Sequence, residues 1–164
     1  MFLKSLKSKI FIGSILLAIA MSACDSNTIL KDNYNIADAK WFIKDTPEFE
    51  FNVGDTTTAY NVFYNVRNNR SYPYYNLYLT HYLSDDKGNV IHQKLDELVL
   101  FDPNTGKKLG EGLGDVYDHK ILAFKSFTFP KKGKYKIQVK QYMRQNPLVD
   151  IVSVGFTIEK AGIK

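Results

Sequence analysis

From residue 36 onward, apolar and polar residues alternate with a period of two in one short segment after another. Between positions 48 and 53, Phe49, Phe51 and Val53 share one face, while Glu48 and Glu50 lie on the other. Such alternation, rich in β-branched and aromatic residues, is typical of half-buried β-strands. The predicted strands are 40–43, 48–53, 60–67, 74–82, two pieces within 90–100, 121–129, 134–140 and 152–159.

Turn-forming sequences separate these segments. Asp85-Asp86-Lys87-Gly88-Asn89 predicts a hairpin turn, and Asp102-Pro103-Asn104-Thr105-Gly106 has the composition of another. No alternation of strands with helices is visible, which argues against a parallel α/β sheet. About seven to nine short strands at this spacing predict an all-β fold, an antiparallel sandwich or a barrel. We expect a single antiparallel β-sandwich, immunoglobulin-like or jelly-roll-like, over residues 36–160.

The N-terminal segment has the three parts of a secretory leader. Lys4, Lys7 and Lys9 form a basic region, residues 10–20 are almost entirely apolar, and small residues precede Cys24. The apolar run is about 12 residues long, whereas a helix needs roughly 20 to cross a bilayer. Residues 1–23 are therefore predicted to be a cleaved signal peptide.

The tetrad Met21-Ser22-Ala23-Cys24 resembles the lipobox of bacterial lipoproteins. In that class of protein the cysteine is lipidated, and the peptide is cut just before it. Cys24 is the only cysteine of the chain, so it has no intramolecular disulfide partner. We predict lipidation at Cys24. The alternative is that Cys24 is an unmodified, unpaired cysteine beside an ordinary cleavage site. The polar residues 24–35 would then form a flexible tether with a reach on the order of 20 Å.

Removal of the leader changes the charge. Residues 1–23 hold three of the 22 Lys and Arg residues and none of the 17 Asp and Glu residues. The 141 residues that remain therefore carry 19 basic and 17 acidic side chains, a formal charge of +2. This balance does not predict a strongly basic face for nucleic acid.

The sequence offers little for catalysis or metal binding. None of its three histidines has metal-ligand spacing, and His81 falls on an apolar strand face, where a hydrogen-bonded packing role is expected. Asp115, Asp118 and His119 cluster after a glycine-rich loop and are the one candidate metal site. The turn at 102–106 echoes a calcium loop, but its twelfth position is Leu113 instead of glutamate. We predict no enzyme activity, cofactor or metal, with a metal-dependent enzyme around Asp115, Asp118 and His119 as the weakest alternative.

Tyrosine is unusually frequent. The chain has 11 Tyr residues, and six of them fall between Tyr60 and Tyr78. Exposed tyrosine suits contact with proteins or sugars, because its ring is rigid and amphipathic. An all-β fold also uses tyrosine simply as a strand residue. The candidate partner surface consists of Tyr72, Tyr74, Tyr75 and Tyr78.

The chain after the leader contains a series of short segments that are specific when taken together. They are DTT at 55–57, YNV at 60–62, NVRN at 65–68, YPY at 72–74, NLYL at 76–79, GK at 106–107, LG at 109–110, VYD at 116–118, FP at 129–130, GKY at 133–135, QYMR at 141–144 and VG at 154–155. This series resembles the GldH family of gliding-motility lipoproteins from Bacteroidota. The resemblance covers most of the chain after the leader. None of these segments carries a chemical mechanism.

The resemblance implies a non-enzymatic, lipid-anchored envelope protein that is part of, or accessory to, the gliding machinery and its associated secretion system. Expected partners are the membrane, through acylated Cys24, and other envelope or gliding proteins, with no nucleic acid or small-molecule substrate. We expect an exported protein on the cell envelope, with the outer membrane favoured over the inner one. The alternative from the tyrosines is a glycan- or peptidoglycan-binding sandwich.

Overall fold

The computed structural model describes residues 27–112 and 114–162, and β-strands dominate both stretches. The strands are β1 Thr28–Asn35, β2 Lys40–Trp41, β3 Glu48–Val53, β4 Tyr60–Asn69, β5 Asn76–Asp85, β6 Val90–Val99, β7 Val116–Phe127, β8 Gly133–Gln141, β9 Leu148–Val149 and β10 Ile151–Lys160. One turn of 3-10 helix, Ala37–Ala39, lies between β1 and β2. The predicted signal peptide and Cys24 lie outside the described residues.

The strands form two four-stranded sheets and a short ribbon. The first sheet has the order β1-β10-β4-β7, the second has the order β3-β8-β5-β6, and β2 pairs with β9. Every pairing is antiparallel. The two sheets pack as a sandwich, which confirms the predicted fold class. Within the described part of the chain, no helix has the length and apolarity needed to cross a bilayer.

The core lies between the two sheets and follows the predicted alternation. On β3, Phe49, Phe51 and Val53 are buried while the residues between them are exposed. The ring of Phe49 meets that of Phe156 on β10 edge-on, with centroids 5.7 Å apart. Full burial of one such side chain contributes roughly 1.5–3 kcal/mol, so these aromatic contacts hold the sheets together.

The predicted tether over residues 24–35 is wrong for residues 28–35. They form β1, which pairs with β10 from Thr28 opposite Glu159 to Asn35 opposite Ser153. β1 is an edge strand, and Leu30 is its one buried side chain. Backbone hydrogen bonds to β10 run along the strand, and such bonds leave no apolar pattern in the sequence. The sandwich therefore begins at Thr28 instead of residue 36.

Two other strands differ from their predicted limits. Residues 90–99 form one continuous strand, β6, instead of two pieces. The prediction of a break is wrong because Leu95, which interrupts the strand alternation, points outward and is half exposed. β7 begins at Val116, five residues before the predicted start. Its first residues alternate too, but with polar side chains such as Asp118 on the outer face.

Candidate functional site

Tyr72 does not belong to the predicted partner surface, because its side chain is buried. It is only 5% exposed, and its ring lies edge-on to that of Tyr74. Its hydroxyl donates a hydrogen bond to the backbone oxygen of Asn76 at 2.9 Å. Burial raises the pKa of this hydroxyl well above its usual value. Tyr72 thus supports the start of β5 from within.

The other three predicted tyrosines are exposed at one end of the second sheet. Tyr74, Tyr75 and Tyr78 are 37%, 45% and 37% exposed. The backbone oxygen of Tyr75 accepts a hydrogen bond from the N–H of Leu100 at 2.8 Å, which fixes this segment against the end of β6. The Tyr74 hydroxyl donates to Oε1 of Gln145 at 3.2 Å. These rings are therefore held on a structured backbone.

Tyr142, which the sequence reasoning missed, adjoins Tyr78. Its N–H donates to the backbone oxygen of Tyr78 at 2.8 Å, and its side chain is 61% exposed. The sequence contains a sign of this exposure. Every second residue of β8 faces outward, as Lys136, Gln138 and Lys140 do, and Tyr142 is the next position in that alternation. We call Tyr74, Tyr75, Tyr78 and Tyr142 the tyrosine surface.

The tyrosine surface offers four exposed rings, while the hydroxyls of Tyr74 and Tyr78 already bond Gln145 and Glu97. A hydrogen bond to the Glu97 carboxylate raises the pKa of Tyr78, so its hydroxyl stays protonated at neutral pH. Apolar rings that carry polar tips are the side chains most often found at the centre of protein interfaces. The chemistry of this surface is thus suited to recognition.

A second group of polar residues is buried between the sheets. The Tyr64 hydroxyl, on β4, bonds Nδ1 of His81 on β5 and donates to Oδ2 of Asp96 on β6 at 2.8 Å. Nε2 of His81 lies 2.8 Å from Nδ1 of His92. Burial and the neighbouring His92 lower the pKa of His81 to about 4, so its ring is neutral at pH 7. The hydrogen-bonded packing role predicted for His81 is confirmed.

The three residues of the candidate metal site do not converge. Asp118 points outward and accepts two hydrogen bonds from Arg67, at 2.7 and 3.1 Å. His119 is its neighbour on the same strand, so it points to the opposite face, where Nε2 lies 2.9 Å from Oδ1 of Asn68. Within residues 27–112 and 114–162, no group of three His, Cys, Asp or Glu side chains could hold a metal ion.

The segment at 102–106 forms the turn that its composition predicts. Oδ1 of Asp102 accepts hydrogen bonds from the N–H groups of Asn104 and Thr105, at 2.9 and 2.8 Å. The N–H of Gly106 then closes the turn onto the backbone oxygen of Asp102 at 2.8 Å. The Asp102 carboxylate is thus engaged by its own loop.

Among solved structures, the chain is similar at low identity to chains from infectious bursal disease virus. One is titled "Structure of infectious bursal disease virus Gt strain", with 14% identity and a TM-score of 0.38 over 82% of this chain. Another is the VP2 subviral particle of the same virus, with 12% identity and a TM-score of 0.35. This chain spans about 30% of each of those chains.

Comparison of sequences is far more specific. The family model described as GldH lipoprotein matches residues 28–158. A gliding motility lipoprotein GldH homolog from Christiangramia forsetii is 36% identical, over 93% of this chain and 94% of its own length. The gliding motility lipoprotein GldH of Flavobacterium johnsoniae is 32% identical, over 89% of this chain and 93% of its own length. The chain therefore belongs to the GldH family of gliding motility lipoproteins.

Proposed function

We propose that this protein is a non-enzymatic lipoprotein, anchored in the cell envelope by acylated Cys24, that acts as a component of or accessory to the gliding machinery and its associated secretion system. The observation that carries the proposal is family membership over nearly the whole chain. The leader that ends in Cys24 supports the anchor. We place the protein in the outer membrane in preference to the inner one.

The topology supports a fixed orientation of the sandwich on its anchor. Only three residues lie between Cys24 and Thr28, and the four Cα–Cα steps that join these two positions reach at most about 14 Å. Thr28 lies at the same end of the first sheet as Glu159, its partner on β10, and Tyr60 lies at that end of β4. This end of the sandwich should therefore be next to the membrane.

The tyrosine surface lies at the opposite end. β4 runs its ten residues away from the anchored end, a distance of roughly 30 Å. The chain then turns, and Tyr74, Tyr75 and Tyr78 come where β5 starts its return; Tyr142 follows the distal end of β8. A lipid-anchored protein with its aromatic residues farthest from the bilayer is suited to meet a partner that stands away from the membrane.

A gene deletion and a tyrosine variant together test the proposal. Loss of the gene should impair colony spreading and protein export, and the wild-type gene should restore both. The double variant Tyr78→Ser/Tyr142→Ser should accumulate normally yet fail to restore them. It should also lose the envelope proteins that co-purify with the wild type in mild detergent.

Tyr34→Ser is the matched control, because Tyr34 is 49% exposed but lies on β1, at the edge of the other sheet. It should behave like the wild type. Normal spreading and export in the deletion strain would refute the role in the machinery. Full rescue by the double variant would refute the role of the tyrosine surface while leaving the family role standing.

A further inference from the structure

The outer face of the first sheet contains a groove of about 850 Å³. This volume lies within the range of small-molecule binding sites, roughly 300–1,000 Å³. The groove is lined across all four strands of the sheet, and the loop after β6 contributes Leu109, Gly110 and Glu111 at the β7 side. We call it the first-sheet groove.

Gly155 leaves the middle of this face without a side chain. It pairs with Asn33 on β1 and with Asn65 on β4. A Cβ at position 155 would stand 2.0 Å from the backbone oxygen of Asp32 and 2.4 Å from Oδ1 of Asn33. The asparagine side chain therefore occupies the space that any larger residue would need, and glycine is required for this arrangement.

The side chains around this point are mostly amides and hydroxyls. Asn33 and Asn35 come from β1, Asn65 from β4, and Ser153 and Thr157 from β10. Nδ2 and Oδ1 of Asn65 lie 3.0 and 3.2 Å from the Thr157 hydroxyl, which holds the amide against β10. Each amide both donates and accepts hydrogen bonds, as does each hydroxyl. This matches a ligand whose own hydroxyl groups do both.

The charged side chains of the groove balance one another. The cations are Lys31, Arg67 and Lys120, and the anions are Glu111, Asp118 and Glu159. Arg67 pairs with Asp118 at 2.7 Å, and Lys120 pairs with Glu159 at 2.8 Å. Three positive and three negative groups cancel, and the two pairs lie within the sheet. A polyanion such as nucleic acid would find no excess of positive charge here.

An apolar patch adjoins the amides on the same face. Phe63 lies two residues before Asn65 on β4 and is opposite Leu122, which is 48% exposed. The Lys120 ammonium stands 4.3 Å from the centre of the Phe63 ring. A carbohydrate has hydroxyl groups around the edge of its ring and C–H groups on the ring faces. The amides can bond the hydroxyl groups, and the apolar patch can contact a ring face.

We propose that the first-sheet groove binds an uncharged carbohydrate chain. Its amides and hydroxyls bond the sugar hydroxyl groups, and the exposed Leu122 beside the groove contacts a ring face. A peptide fits this site less well, because the backbone groups beneath the groove are already paired within the sheet. The proposal does not depend on the role in gliding, and it locates carbohydrate binding away from the tyrosines.

Calorimetric titration of the full lipoprotein tests the proposal. The protein is purified from membranes in a detergent without a sugar headgroup, such as a dimethylamine oxide. Chitohexaose represents the N-acetylated backbone of cell-wall glycan, cellohexaose and mannohexaose represent neutral surface polysaccharides, and an alginate hexamer is the polyanionic probe. At least one neutral hexasaccharide should bind, and the alginate should not. The neutral probe that binds distinguishes a cell-wall from a surface source.

Two variants locate the site. Asn33→Ala and Asn65→Ala should each weaken binding about 3- to 10-fold, as expected for the loss of one or two hydrogen bonds. Asn52→Ala is the matched control, because Asn52 is an exposed asparagine on β3, an edge strand of the other sheet. It should leave binding unchanged. Thermal unfolding of each variant separates lost contacts from lost fold.

Several results would overturn the proposal. They are no heat with any neutral hexasaccharide, binding of the alginate alone, or binding of a cell-wall fragment only when its peptide stem is present. A neutral sugar whose affinity drops with Tyr78→Ser/Tyr142→Ser but not with Asn33→Ala or Asn65→Ala would also overturn it, since the site would then be the tyrosine surface.

Discussion

Tyr64, His81 and Asp96 join three strands through one buried chain of hydrogen bonds. Tyr64 belongs to the first sheet, while the other two residues belong to the second. His81 is completely buried, so each of its polar atoms depends on a protein partner. These hydrogen bonds specify how the two sheets are positioned against each other more narrowly than apolar contacts alone would. Their effect on stability can be measured one residue at a time.

The protein should lose stability as pH falls from 6.5 to about 4. Burial and His92 hold the pKa of folded His81 at about 4, whereas a free histidine has a pKa of 6.5. The unfolded chain therefore binds a proton first, so stability is complete above pH 6.5 and is lost below it, by up to about 3 kcal/mol. Burial lowers the pKa of His92 in the same direction. Urea unfolding at pH 7.5 and 4.5 measures the difference.

The other charged groups that face His81 are Asp96 and Lys94; the first raises its pKa and the second lowers it. Exposed carboxylates such as Asp85 and Asp102 have pKa values below their ordinary range, so they titrate below this window. His81→Phe should make stability less dependent on pH between 7.5 and 4.5. Equal stability of the wild type at the two pH values would contradict the prediction.

Tyr64→Phe should destabilise the protein more than Tyr60→Phe. Both tyrosines are 1% exposed and lie on the inner face of β4. The Tyr64 hydroxyl hydrogen-bonds buried partners. Its loss leaves a buried polar group without a partner, which lowers the free energy of unfolding by roughly 1–3 kcal/mol. The Tyr60 hydroxyl makes a long bond of 3.3 Å to the backbone of Asp55. Free energies of unfolding that are equal for the two variants would show that the buried chain adds nothing.

At the scale of elements, β1 is an edge strand that buries little apolar surface. Leu30 is its one buried side chain, and its neighbour β10 supplies its backbone partners. The close approach of Asp32 and Asn33 to Gly155 is therefore important for its position. β1 also supplies one wall of the first-sheet groove.

Gly155→Ala should displace β1 while the rest of the first sheet stays paired. The new methyl group would overlap the β1 backbone, and overpacking of this kind costs roughly 1–3 kcal/mol. Amide hydrogen exchange should become faster in β1 and change little between β4 and β7. Ser153→Ala, two residues away on the same face, is the control. Unchanged exchange in β1 would mean that the strand can shift without loss of pairing.

At the scale of the whole molecule, the two ends of the sandwich differ in what they present. The end that contains Thr28 and Tyr60 is the one a lipid at Cys24 would hold near the bilayer. The other end carries the tyrosine surface. The first-sheet groove lies along the side between them. The aromatic end and the polar side face are thus separated in space, and a lipid at Cys24, as proposed, would leave both free to act independently.

This arrangement predicts which surface positions are close to the membrane. Lys132 lies in the loop between β7 and β8 at the anchored end, and Gln145 lies beside Tyr74 at the other end. A fluorophore is attached through Lys132→Cys or through Gln145→Cys, and the lipoprotein is placed in vesicles whose lipid headgroups carry a quencher. The extent of fluorescence quenching should differ between the two labels. The label at 132 should be quenched more strongly, because the ends are roughly 30 Å apart. Equal quenching would refute the upright orientation.

The sequence predicts the sandwich well where a strand has one buried face. Residues 48–53 form β3 as predicted, because Phe49, Phe51 and Val53 alternate with polar residues. The same signal fails for β1, an edge strand in which Leu30 is the one buried residue. It also fails to separate Tyr72, which is buried, from Tyr74 and Tyr75, which are exposed. These residues precede β5, so their side chains do not alternate between two faces as those of a strand do.

The sequence by itself determines the class of the fold, the family and the cysteine that we expect to carry the lipid, because period-two alternation and a leader before Cys24 are local patterns. Only the tertiary structure decides which strands are neighbours. The pairing of β10 with β1 and β4 brings Asn33, Gly155 and Asn65 into one row, although more than 120 residues separate the first two. Backbone hydrogen bonds make that row, and they are the same for every residue type. For this reason the first-sheet groove has no signature along the chain.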